Sequence, residues 1–160
     1  MTGDIFNFIK DPLVGAAADL IEEKGKFFLV KEGNPKCYGK WGFTGGEKNK
    51  NDKTLLVTAI REPKEEAGLK VRPTHFICLS ERPHGNKHMF GVVFFAEIIG
   101  GVATPGPEVL DVGWFSFPEI ENMYHRGELR GPYVFSAVKH YLRYGKIPLR
   151  QLVLFSGDGF

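Results

Sequence analysis

The stretch GGEKNKNDKTLLVTAIREPKEEAGL, residues 45–69, constrains the fold more than any other part of the chain. A glycine pair runs into EKNKNDK at 47–53, wholly polar and therefore read as a loop. From Thr54 to Ala67 the spacing becomes helical: Leu56, Ala59, Ile60, Pro63 and Ala67 recur at i, i+3, i+4, i+7 and i+11 as one apolar stripe. Asp52 stands where a side chain caps such a helix, and Gly68 supplies its C-terminal stop. On a wheel turning about 100° per residue from Glu62, Glu66 falls at about 40°, Glu65 at about −60° and the stripe at about 110°. Three carboxylates thus share one face at the edge of the core. Like charges so close weaken a helix, and Arg61, four residues before Glu65, has the spacing of an offsetting ion pair. Pro63 removes an amide donor inside the helix at a cost of about 3 kcal/mol. Because the stripe runs through it, the expectation is one kinked helix rather than two.

Around this helix the chain reads as strands. GAAADLIEEKGKFFLVKEG suggests two strands joined as a hairpin by a Glu-Glu-Lys-Gly turn. CYGKWGFTGGE reads as a short strand leading into a loop. THFICLSE, HMFGVVFFAEIIGG and VLDVGWFSF are rich in aromatic and β-branched residues and read as three more strands. Pro118 opens a short helix to about Tyr124. YVFSAVKHYLRYG forms another, with Val134, Ala137, Val138 and Leu142 on one side and Gly145 ending it. The tail KIPLRQLVLFSGDGF is read either as a terminal strand or, over 146–160, as a loosely attached arm. Repeats, low-complexity segments and interdomain linkers are missing, so residues 1–160 are expected to form a single mixed α/β domain.

Composition narrows the function classes. Lys and Arg total 21 against 19 acids, a formal net charge of +2, which argues against a whole-surface binder of nucleic acid or membrane. Affinity for phosphate must come from a local site. Cys37 and Cys78 match no metal spacing and no disulfide framework, and read as reduced, structural residues. MTGDIFNFIKDPLVG carries Asp4, Lys10 and Asp11 within its apolar run, so it lacks the form of a signal peptide. No apolar run spans a bilayer, and a reducing cytoplasm is the expected compartment.

An all-oxygen cluster such as Glu62, Glu65 and Glu66 suits Mg²⁺ or Mn²⁺. In its setting the stretch resembles the Nudix box, G-x5-E-x7-R-E-U-x-E-E-x-G-U with U apolar. Arg61, Glu62, Glu65, Glu66, Gly68 and Leu69 each occupy the family position, and KWGFTGGE is similar to the strand and glycine pair that open the box. EVLDVGWFSFPEIENM resembles a further family segment, an acidic loop before a Trp-containing strand and a short helix. The sequence departs from the pattern in three ways. The first glutamate of the box falls on Lys53, the interval from Gly46 to Lys53 is one residue longer, and Pro63 occupies the apolar position after Arg-Glu. The first two departures bear on the outermost carboxylate and on the Gly46 carbonyl; the inner cluster is intact.

The resemblance implies a Nudix-like α/β/α sandwich around a mixed β-sheet. It further implies metal-dependent hydrolysis of the diphosphate bond in a nucleoside diphosphate linked to another group. Divalent cations would reverse the local negative charge that otherwise repels a pyrophosphate. By the same resemblance Glu62, Glu65, Glu66 and the backbone carbonyl of Gly46 are metal ligands, with Arg61 orienting one of the carboxylates. The general base is a box glutamate such as Glu65 or an acid from a later loop, where Glu108 ranks before Asp111. Lys53, Arg82 and Lys87 are candidates for substrate phosphate; Arg82 and Lys87 lie with His84 and His88 between two strands, and the HGNKH turn does not suit zinc. Trp41 and Phe43 belong either to base stacking or to the core. The expected partner is a small nucleotide, with neither nucleic acid nor membrane, and a homodimer stays open. Two alternatives remain on the same fold. One is a non-catalytic module binding a nucleotide or a protein, suggested by the three departures and opposed by the retained carboxylates. The other is a diphosphate isomerase, which Cys37 and Cys78 do not support by pattern.

Overall fold

A computed structural model describes residues 12–151 of the chain. Four consecutive core residues, Phe27, Phe28, Leu29 and Val30, show how the layers are built, because a strand buried on both faces must sit between two packed layers. That strand, β3 (Lys26–Glu32), pairs antiparallel with β2 (Glu22–Glu23), β4 (Trp41–Gly42) and β8 (Val109–Ser116). A second, mixed sheet has the order β5-β1-β7-β6-β9, from β5 (Thr44–Glu47), β1 (Leu13–Leu20), β7 (Lys87–Gly101), β6 (Leu69–His84) and β9 (Ile147–Pro148). In it β1 runs parallel to β7 and antiparallel to β5.

Helices cover both sides. Phe27 and Leu29 pack with Ile120 and Met123 of α2 (Phe117–His125) and with Val134, Ala137 and Val138 of α3 (Pro132–Tyr144). On the other side Phe28 and Val30 pack with Ala67 at the end of α1 (Leu55–Ala67), while Ala59 of α1 lies against Ala17 and Phe94. This is the mixed α/β sandwich expected from the sequence.

Two local readings are corrected. The Lys24-Gly25 turn exists, with positive φ at both residues, but it joins β2 to β3, and β1 enters the other sheet. The partner of β1 lies far along the chain, Leu13 opposite His88, which a local hydrophobic pattern cannot show. Leu142, assigned to the buried side of α3, is 53% exposed. Tyr141 packs there instead, against Phe27 and Phe95. In the tail, Ile147 and Pro148 pair with Phe76 and His75 as an edge strand, whereas residues 152–160 lie outside the described part, as do Asp4, Lys10 and Asp11. No helix among the described residues is long and apolar enough to cross a membrane.

Candidate active site

The carboxylate helix α1 starts at Thr54, whose hydroxyl accepts the Val57 N–H at 3.4 Å. Asp52 is therefore not the cap. Its buried carboxylate accepts Nη2 and Nε of Arg61 at 2.9 and 3.1 Å, the Thr58 hydroxyl at 3.0 Å and the Asn49 N–H at 3.1 Å. The hydrogen bonds from Arg61 hold the Asp52 carboxyl down at about 2. With its hydroxyl satisfied, Thr58 is fully buried and takes the place expected of Ile60, which is 50% exposed. The buried side of α1 is Thr58, Ala59, Pro63 and Ala67, and the helix continues through Pro63 as one element. Gly68, at φ 65°, ends it in the left-handed conformation that favours glycine.

Arg61 gathers the acids around it. Its Nη1 lies 2.8 Å from Glu65 and 2.8 Å from Glu62, while Nη2 holds Asp52. Glu66 points the other way and accepts the Gly45 N–H at 2.9 Å. Burial, reinforced by the charge of Glu62 and opposed by the Gly45 hydrogen bond, pushes the Glu66 carboxyl up to about 8. Burial also raises Glu62, against the pull of Arg61. Gly45 is sterically required, because a Cβ there would stand 2.3 Å from the Ala17 carbonyl, and a Cβ on Gly46 would stand 2.5 Å from the Glu62 carboxylate and displace it.

Gly45, Gly46 and the three helix glutamates line one lobe, of about 470 Å³, of a two-lobed cleft; Glu62, Glu65, Glu66 and Glu108 give it its acidic character. The other lobe, of about 380 Å³, is lined by Lys36, Ser80, Arg82, Met89 and Tyr133 among others. Glu32, Asn34, Gly45, Gly46 and Arg130 border both. At this junction Arg130 donates to the buried Glu32 carboxylate at 2.7 Å.

The NUDIX domain family profile matches residues 11–136. The chain belongs to the Nudix hydrolase family. Phosphatase NudJ of Escherichia coli K12 is 27% identical over 136 residues, 84% of this chain and 87% of its own length. A NUDIX hydrolase from Nitrosomonas europaea superposes with a TM-score of 0.78 at 20% identity, over 92% of this chain and 99% of that one. An ADP-ribose pyrophosphatase from Streptococcus suis 89-1591 gives a TM-score of 0.62 at 22% identity, over 81% and 92% of the two chains. The structural likenesses bear on the fold alone.

Within this Nudix hydrolase the first glutamate position of the box, Lys53, is exposed and lines neither lobe. The neighbouring Asp52 turns inward to Arg61 instead, so the extra loop residue moves the acid by one position. Sequence reasoning gave Asp52 a capping role, although an acid beside a displaced box position was its visible signal. Glu32 and Arg130, 98 residues apart, had no local signal. Glu108 stands in the acidic lobe with Glu66, and its carbonyl accepts the Gly33 N–H at 2.8 Å. Asp111 lines neither lobe and bonds the adjacent Val112 N–H. Arg82 enters the second lobe, whereas Lys87 lies outside both, 3.6 Å from Glu47. His88 faces Glu81 at 2.6 Å. Trp41 packs on Phe115, and Phe43 is buried.

The residues fit a hard divalent cation. Asp19 shares the α1-facing side of β1 with Ala17, is fully buried, and neither of its carboxylate oxygens has a hydrogen-bond partner among the described residues. Burial, with Glu66 and Glu62 adding to it, raises its carboxyl well above the usual range. Asp19, Glu62 and Glu66 thus form a cluster of acids in which Arg61 pairs with Glu62, while Asp19 and Glu66 have no ion-pair partner among the described residues, and every side-chain donor in it is an oxygen. Among the described residues no three such side chains already close on one point as a cage: Arg61 holds Glu62 and Glu65, and Gly45 holds Glu66.

Proposed function

We propose that this Nudix hydrolase cleaves the diphosphate bond of a nucleoside diphosphate linked to another group, using Mg²⁺ or Mn²⁺. The observation that carries the reading is the junction at Gly45, Gly46 and Arg130, residues shared by the linings of an acidic lobe and of a lobe lined by Arg82 and Lys36. A substrate with a metal-binding diphosphate and a further polar end matches such a pair of lobes.

In this proposal Glu62, Glu65, Glu66 and the Gly46 carbonyl would hold the cation. When bound, the cation offsets phosphate charge and polarises the reacting phosphorus–oxygen group. The remaining work falls to the chain itself. Asp52 anchors Arg61, and Arg61 fixes Glu62 and Glu65, while the Gly45 N–H steadies Glu66. Glu108, exposed in the acidic lobe, takes the proton of the attacking water. Arg130, at the junction, receives a diphosphate oxygen, and Arg82 receives phosphate in the second lobe. The free cysteines Cys37 and Cys78 accord with a reducing cytoplasm.

The test is a panel of nucleoside diphosphate derivatives incubated with Mg²⁺, Mn²⁺ or EDTA, with nucleotide and phosphate products resolved by chromatography. Cleavage at the diphosphate, abolished by EDTA, is the expected result. Tight nucleotide binding without turnover on any compound would overturn it in favour of a non-catalytic binding module.

A further inference from the structure

The second lobe differs from the first in the sign of its charge. Of its charged lining, Arg130 and Glu32 are paired at 2.7 Å, and Glu47 has Lys87 at 3.6 Å. Arg82 and Lys36 have no carboxylate partner among the described residues. Arg82 is also oriented. Its guanidinium lies 5.7 Å from the centre of the Tyr133 ring, beside the turn at Gly131. A guanidinium without a carboxylate on it keeps its N–H fork available, the geometry that matches phosphate.

The same contacts disfavour a nucleobase here. Tyr133 is the aromatic side chain of this lining, its face carries Arg82, and its ring meets Phe43 edge-on at 6.2 Å. Trp41 carries Lys31 and packs on Phe115. Among the described residues of this lining, Tyr133 is thus the one ring on which a base could stack, and Arg82 lies over it.

We propose that the second lobe is an anion subsite, in which Arg82 and Lys36 bind a phosphate of the substrate other than the diphosphate on the carboxylate face. The substrate class is then a nucleotide whose uncleaved end carries its own phosphate. This class rests on the hydrolase reading above; anion binding in the lobe does not.

Calorimetry on the metal-free protein in EDTA tests the subsite without turnover. AMP is the probe, with inorganic phosphate and adenosine as competitors. The expected result is that phosphate displaces AMP and adenosine does not, and that Arg82→Gln weakens AMP by about tenfold and Lys36→Gln by about threefold, consistent with lost charge-assisted contacts. Thermal melts of both variants should match the parent, since both side chains are exposed. Adenosine competing as well as phosphate, or Arg82→Gln binding AMP within about twofold of the parent, would overturn the subsite. The class is tested with Mn²⁺ on ADP-ribose and its 2′-phosphate. The phosphorylated compound should be preferred by about tenfold in kcat/KM, and Arg82→Gln should erase that preference. Equal kcat/KM in the parent enzyme would overturn the class. Absence of all turnover, with anion binding intact, would overturn the class together with the hydrolase reading and leave the subsite standing.

Discussion

The two lobes of the cleft are held in different ways. In the acidic lobe the ion pairs are short in sequence: Arg61 reaches Glu62, Glu65 and Asp52, at most nine residues away. The junction with the cationic lobe depends on Arg130 and Glu32, 98 residues apart, with the carboxylate buried. Local ties orient charges on a helix that forms for other reasons, so changing them should disturb chemistry more than folding. A long-range buried pair joins separate parts of the chain, and removing one partner strands the other.

That contrast can be broken by experiment. The largest effect should come from Glu66→Gln, which keeps the volume and removes a charge that burial already disfavours. Turnover is expected to fall about thousandfold, ~4 kcal/mol, with the melting temperature unchanged or higher. A folded Glu66→Gln enzyme with full turnover would remove the helix from the chemistry. Arg130→Gln should do the reverse and act first on stability. Stranding Glu32 should cost about 3 kcal/mol, the low end for a buried charge because Arg130 keeps 31% of its side chain exposed. The corresponding loss is roughly 6–12 °C in melting temperature, read by calorimetry; an unchanged melt would erase the distinction between the lobes.

Asp52→Asn lies between these cases. The Asp52 carboxyl titrates lower in the folded protein, at about 2, than in the unfolded chain. Its stabilisation is therefore present above the unfolded value of about 4 and lost as pH falls towards 2. The parent should melt above the variant at pH 7, and the two should converge near pH 2. Turnover should drop by roughly tenfold as Arg61 loses its anchor. Lys53→Glu should have the smallest effect. Placing an acid before the first turn of α1 should add a few tenths to about 1 kcal/mol through the helix dipole. Because Lys53 lines neither lobe, kcat and KM should stay within about twofold. A larger change in KM would return Lys53 to the phosphate-binding set.

What was legible in the sequence follows the same division. A 3.6-residue period, an i,i+4 ion pair and a terminal glycine are properties of neighbours, so α1, the Arg61–Glu65 pair and Gly68 could be read directly. The exposure of Ile60 could not, because it depends on Asp52 satisfying the Thr58 hydroxyl and letting that side chain be buried. Trp41 and Phe43 were ambiguous for a similar reason, since an aromatic in a strand acquires its role from the opposite layer. The Arg130–Glu32 junction and the departure of β1 from its supposed hairpin arise only when distant segments meet.

The placement of β1 also has a consequence in time. Its parallel partner β7 is made about 75 residues later, a wait of roughly 4–15 s at synthesis rates of 5–20 residues per second. A strand exposed for so long is an aggregation hazard when it is apolar and β-prone. The strand LVGAAADL is not β-prone: its middle is glycine and alanine, both weak strand formers, and it carries Asp19. Low intrinsic preference keeps β1 from finding the wrong partner while it waits, and the neighbours that finally enclose it turn the same small residues into close packing beneath the cleft.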